Sequence, residues 1–352
     1  MKNKYFLCVL LIPLLFALFG CGGGAGGNEA YYSWTLVPED IFSGDYIKAV
    51  VWGKDRFVAV TGTQIAYSYD GISWTLVTAT PFVGADKINS ITWGDPEGQE
   101  KFVAVGQGYE ASVGWVYRIW YSENGITWTQ VADSFVDING DSGLTELYGI
   151  AWGGGKFVTV GQISGTSLSH YNPIGFSDDG IIWEGRSISG WSQLWGVAWG
   201  NNRFVAFGNT GIAWSGNGST WNTVTVPVIT PKCIAWGNGK FIAGADASYD
   251  TVYSDDGESW TKVNGMSYGY PIYAIAWGND RFVAVGGDTF QHWSHIYYSH
   301  DGINWTLDTS NPFNTDGTSG LMGIAYGGPP GKEKFVAVGS NGGIMYSTFS
   351  YR

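Results

Sequence analysis

The sequence predicts an all-β fold, a seven-bladed β-propeller of four-stranded blades, on three observations. First, one phrase recurs: Ala-Trp-Gly, then Arg/Lys-Phe-Val-Ala-Val, then Tyr-Ser-x-Asp-Gly-x-x-Trp-Thr, each with near variants. The first element places its aromatic at Trp52, Trp93, Trp152, Trp199, Trp236, Trp277 and Tyr326. The second begins at Phe57, Phe102, Phe157, Phe204, Phe241, Phe282 and Phe335. Seven units over residues 31–352 average about 46 residues, the length of a propeller blade. Second, each unit holds four short apolar runs bounded by Gly, Asn and Asp, which read as strands. No stretch carries a useful helical period. Third, the ends are complementary. The last unit reaches Met345-Tyr346-Ser347 and stops, and Tyr32-Ser33-Trp34-Thr35-Leu36 is the piece it lacks. The N-terminal strand is therefore expected to complete the last blade and close the ring without an open edge.

Within a unit the elements follow in order. In the third they are Leu147–Trp152, Lys156–Gly161, Ile174–Ser177 and Ile182–Glu184. The 54 glycines suit the many tight turns such a chain needs. Of the 19 tryptophans, six lie in first runs and seven in last runs. Their expected role is packing between neighbouring blades.

Tyr-Ser-x-Asp-Gly-x-x-Trp resembles the Asp-box (BNR) repeat of sialidase-like propellers. It spans Ser68–Trp74, Ser122–Trp128, Ser177–Trp183, Ser215–Trp221, Ser254–Trp260 and Ser299–Trp305, and the likeness covers the whole mature chain. The version here lacks one residue between Asp and Gly. The acid is Asp70, Asp179, Asp256 or Asp301, and Asn124 or Asn217 replaces it twice. Asx side chains bond the backbone just ahead, so this interchange needs no chemistry. In the family these boxes lie on the turn between third and fourth strands, away from the catalytic face. The resemblance also raises a glycan-cleaving activity, which in sialidases rests on an arginine cluster, a Tyr/Glu nucleophile pair and an acidic acid/base. Six arginines are present. Arg56, Arg203 and Arg281 belong to the repeat's first turn and Arg352 ends the chain, leaving Arg118 and Arg186. Asp45, Asp86, Glu110, Glu146 and Asp288 could reach the loop face but form no recognisable set.

Lys2 and Lys4, an apolar run from Tyr5 to Phe19, and Leu18-Phe19-Gly20-Cys21 read as a secretory signal over residues 1–20. The run is too short to span a bilayer. Cys after Gly resembles a bacterial lipobox, which implies lipidation of Cys21. Residues 21–30 are then a Gly-rich tether and 31–352 the propeller. The expected place is the bacterial cell envelope, periplasmic or surface-exposed, with the membrane touched through lipid alone. Cys8 leaves with the signal, and Cys233 reads as a small buried side chain. Net charge is −12 for the whole chain, and −14 once Lys2 and Lys4 are gone (16 basic against 30 acidic residues). An acidic chain without a basic stripe argues against nucleic acid. The chain reads as a monomer.

Propeller ligands bind on the face of the second-to-third-strand and blade-to-blade loops, and here those loops vary most. Four residues before each first-run aromatic stand Lys48, Asn89, Tyr148, Trp195, Lys232, Tyr273 and Met322. Period-two alternation sets them beside the core Ile or Val two residues later, one step nearer the channel mouth. Two cations, an amide and three aromatics there suit a sugar or a carboxylate; the alternative is that they cap the channel. Asp137, Asn139 and Asp141, followed by Gly143, alternate as calcium-loop ligands do. Ser142 replaces the usual Gly and Tyr148 the twelfth-position acid, with Glu146 as substitute. Calcium is the candidate cofactor; the alternative is a solvated Asx-rich loop. His292 and His295, with His300 nearby, give a weaker zinc pattern. The expected function is a non-catalytic binding module for a glycan or protein ligand. A sialidase-type enzyme and an envelope assembly or scaffold factor are the alternatives.

Overall fold

A computed structural model describes residues 30–112, 114–132, 144–163, 173–224, 231–246, 250–266, 270–288, 293–308, 312 and 320–351. Seven four-stranded antiparallel sheets are arranged as blades, in the order the repeat predicts. In blade 1 the strands are Ala49–Gly53, Arg56–Val60, Ile65–Ser68 and Thr75–Leu76, from inner to outer. The other inner strands are Lys87–Gly94, Leu144–Gly153, Leu194–Gly200, Pro231–Gly237, Ile272–Gly278 and Leu321–Gly327. Among the described residues no helix is long and apolar enough to cross a membrane.

Ring closure follows the complementary ends. Ala30–Leu36 pairs with Ile344–Tyr351 as the outer strand of blade 7. Side chains lock that seam to blade 6. The Trp34 indole N–H donates to the Tyr298 hydroxyl, which donates to Asp308 at 2.9 Å. The Tyr32 and Tyr298 rings stack at 5.6 Å, and Asn279 donates to the Tyr32 hydroxyl at 2.9 Å.

The blades interlock through the Ala-Trp-Gly element. Each glycine there has the next blade's aromatic lying directly on its backbone. A Cβ on Gly53 would stand 2.1 Å from Trp93, and one on Gly153 would stand 1.9 Å from Trp199. The series closes on itself, since a Cβ on Gly327 would stand 2.1 Å from Trp52. The same rings meet the Phe of their own second strand, as Trp52 does Phe57 at 4.7 Å. Every repeat Phe is buried.

The six Ser-x-Asx-Gly turns share one geometry. In the first, Asp70 accepts from the N–H groups of Ile72 and Ser73, both at 2.8 Å, and from the Ser68 hydroxyl at 3.0 Å. Gly71 adopts φ of 74°, left-handed backbone that glycine takes without strain. Its missing Cβ also makes room for Val336 of blade 7. Asn124 and Asn217 accept from the corresponding N–H groups at 2.8–2.9 Å, so the amide does the work of the acid. The turn displaces the outer strand from its expected place. Blade 3 was expected to pair from Ile182, but that strand is Glu184–Arg186. The Ile181 and Ile182 N–H groups are held by Asp179, and Trp183 is buried. Pairing can start only beyond them.

Two measurements test this account. Gly53→Ala should destabilise by about 1–3 kcal/mol, as overpacking does, and lower the thermal midpoint. Gly62→Ala, with nothing near its Cβ, should not; equal midpoints for the two variants would refute the interlock. The second concerns acid. Burial opposes ionisation of Asp70, Asp179, Asp256 and Asp301, but the turn N–H donors outweigh it and hold all four below the usual carboxylate range. A depressed pKa stabilises the fold above the unfolded value, near 3.9 for Asp. That contribution is lost as pH falls through the folded values. The thermal midpoint should therefore drop below about pH 4, and replacing all four by Asn should flatten the drop.

Candidate functional site

The inner strands carry a shared irregularity at their channel-mouth ends. In six blades the pairing with the second strand skips one residue: between Ile88 and Ser90, Leu147 and Gly149, Leu194 and Gly196, Pro231 and Cys233, Ile272 and Ala274, and Leu321 and Gly323. The skipped residues are Asn89, Tyr148, Trp195, Lys232, Tyr273 and Met322. In blade 1 Ala49 is the partner of Val60, and the Lys48 N–H also bonds the Val60 carbonyl at 2.8 Å. Two residues thus face one there too. A bulge bends a strand and re-aims the extra side chain. All seven bulge residues line a single cavity of about 360 Å³ on the axis. Bulges, and not period-two alternation, bring them together, and in six of the blades three consecutive residues border the space, as Trp195, Gly196 and Val197 do.

In two blades the size of the residue after the bulge is matched to what faces it. Gly196 is opposite Phe207, and a Cβ on Gly196 would stand 2.5 Å from that ring. Phe207 replaces the repeat's usual Val and meets Trp195, ring centres 6.5 Å apart. Blade 5 reverses the sizes, with Cys233 opposite Gly244, whose Cβ would stand 2.6 Å from the Cys233 sulfur.

The polar bulge residues are tied into two networks. Lys48 Nζ donates to Asn89 Oδ1 at 2.6 Å. Asn89 commits its own amide hydrogens to Glu146 and to the Leu147 carbonyl, both at 2.9 Å. Burial lowers the Lys48 pKa, nearby Lys87 lowers it further, and Glu146 works in the opposite direction. The Tyr148 hydroxyl donates to Gln162 at 2.6 Å, and Gln193 donates to the same Gln162 oxygen at 2.9 Å. Burial, with Glu146 adding to it, pushes the Tyr148 hydroxyl up to about 12. Lys232 pairs with Asp246 at 3.1 Å. Gln162 and Gln193 were not singled out in the sequence, because neither stands at a repeat position. Phe207 and Gly244 were legible, as the departures from Val at the end of Phe-Val-Ala-Val.

The remaining candidates lie elsewhere. Arg118 pairs with Glu110 at 2.8 Å and with buried Asp86 at 3.5 Å, beside a second cavity on blade 2. Arg186 pairs with Glu184 on blade 3. The two arginines do not converge. His295 is stacked on Tyr270 at 4.0 Å, and exposed His300 meets the Asp280 carbonyl. Among the described residues no group of three His, Cys, Asp or Glu could hold a metal. Asp137, Asn139 and Asp141, His292 and the lipidation candidate Cys21 fall outside the described residues.

No family profile matches the chain, and no curated protein matches it. Solved structures do. YCF48 bound to D1 peptide superposes with a TM-score of 0.59 at 14% identity, over 90% of this chain and 96% of that one. A catalytically inactive virginiamycin B lyase from Staphylococcus aureus with quinupristin gives 0.67 at 13%, over 90% and 99%. A streptogramin B lyase gives 0.66 at 12%, over 91% and 98%. These neighbours are seven-bladed propellers, and at such identities the likeness is one of fold.

Cys233 gives this wall a direct test. Cys233 is half-buried in the cavity wall and not fully buried as its small size suggested, but desolvation still pushes its thiol up to about 12, and its sulfur lies 3.5 Å from the Ile272 carbonyl. In the folded protein at pH 8 it should resist a disulfide reagent such as dithionitrobenzoate, and react fully on unfolding in guanidinium. Fast reaction in the folded state would mean that the wall is looser than described.

Proposed function

We propose that this protein is a non-catalytic binding module of a bacterial cell envelope, tethered through lipid on Cys21, that takes a glycan or protein ligand at the channel mouth. The observation that carries this reading is the ring of seven variable side chains, six of them at register shifts of the inner strand, that line one cavity. Regular pairing would leave those residues in the ladder. No carboxylate lines that cavity among the described residues, whereas glycoside hydrolysis generally needs two across the scissile bond. A neighbour of the same fold described with a bound peptide supports a binding role. The neighbouring lyases leave an enzyme as the alternative on fold alone.

The test is binding of residues 28–352, which hold every described strand, to glycan and peptide arrays. Selective capture is expected, and Trp195→Ala should weaken it about tenfold or more, as loss of a central aromatic anchor does. Circular dichroism should show the fold intact. Undiminished capture by Trp195→Ala would move the site away from the mouth.

A further inference from the structure

We infer that the channel mouth holds a seat for one carboxylate, the Lys48 ammonium, and that its ligand is the C-terminal end of a peptide finishing in an aliphatic residue. This rests on the mouth being the binding site and names what enters it. An ammonium has three donors. Among the described residues Lys48 spends one, on the neutral amide oxygen of Asn89 at 2.6 Å. Among the described residues Glu146 is the carboxylate that acts on Lys48, and it is held off. Asn89 stands between Lys48 and Glu146, with both amide hydrogens committed so that its oxygen must face the lysine. A half-buried charge without a direct counter-ion is costly, and an incoming anion relieves that cost. The depressed pKa of Lys48, which burial and Lys87 cause, reports the same deficit. Lys232, four blades on, lacks the deficit because Asp246 already neutralises it.

The rest of the wall chooses between carboxylates. A sugar acid presents a ring of hydroxyls, each needing a partner once desolvated. Three of the polar side chains that line the cavity are already spent: Asn89 on Glu146 and Leu147, Tyr148 on Gln162 with Gln193, and Lys232 on Asp246. Much of the rest of the wall is apolar, including Val50, Ile324, Met322 and Trp195. One anionic head on an apolar body matches that surface. A cavity of about 360 Å³ is at the small end for a ligand site and suits the end of a chain better than its length.

Isothermal titration of residues 28–352 with N-acetyl-Ala-Ala-Leu, its C-terminal amide and glucuronate tests the assignment. The free acid should bind roughly tenfold or more tighter than the amide, as a charged hydrogen bond warrants. Lys48→Met should erase that difference, Lys48→Gln should erase it while keeping a donor for Asn89, and Lys232→Met should preserve it. Equal binding of acid and amide, or discrimination that survives both Lys48 variants, overturns the seat and leaves the mouth reading standing. Lys48-dependent binding of glucuronate but not the tripeptide overturns the peptide assignment. Silence from all three probes overturns the inference. Array capture that is also indifferent to Trp195→Ala would overturn the mouth reading as well.

Discussion

Every blade depends on an aromatic side chain seated against a bare glycine of its neighbour. The glycine must lack a Cβ because the ring occupies that place, at about 2 Å from where the carbon would be. The contact repeats around the ring and ends where it began, from Gly327 onto Trp52. No blade can bury its inner aromatic alone, so the sheets are stable as a circle and poorly defined as pieces. This is why the Ala-Trp-Gly element is so constant within the chain, and why closing blade 7 with the N-terminal strand matters to all the others.

On the opposite edges of the blades the same economy serves the turns. One Asx oxygen satisfies two backbone N–H groups and a serine hydroxyl, and a left-handed glycine lets the adjacent blade's valine or isoleucine come close. The acid is used there as an acceptor, which is why Asn stands in twice without altering the geometry. These turns read as framework. Variation is concentrated at the other end, where seven side chains of five kinds line one cavity.

That end is built by compensation. Where Phe207 enlarges blade 4, Gly196 yields; where Cys233 enlarges blade 5, Gly244 yields. Such paired departures keep the channel wall continuous while its chemistry changes from blade to blade. The charged members are not equivalent as a result. Lys232 is neutralised by its own blade, while Lys48 is separated from Glu146 by an amide, so among the described residues the two cations of the mouth differ in having a direct counter-ion.

The sequence by itself determined the blade count, the four strands, the closing role of Tyr32–Leu36 and the positions facing the channel, because these follow from a repeat whose glycines and aromatics each have one steric use. It misplaced the outer strand of blade 3, since the length of the Asx turn is decided by hydrogen bonds to Ile181 and Ile182 that the alternation of side chains does not record. It named the ring residues for the wrong reason, because a bulge leaves no mark on residue type. Only the tertiary structure decided which of them are spent. Asn89 looks like a free donor on the strand and is saturated by Glu146 from the next blade, a contact across 57 residues that no local pattern encodes.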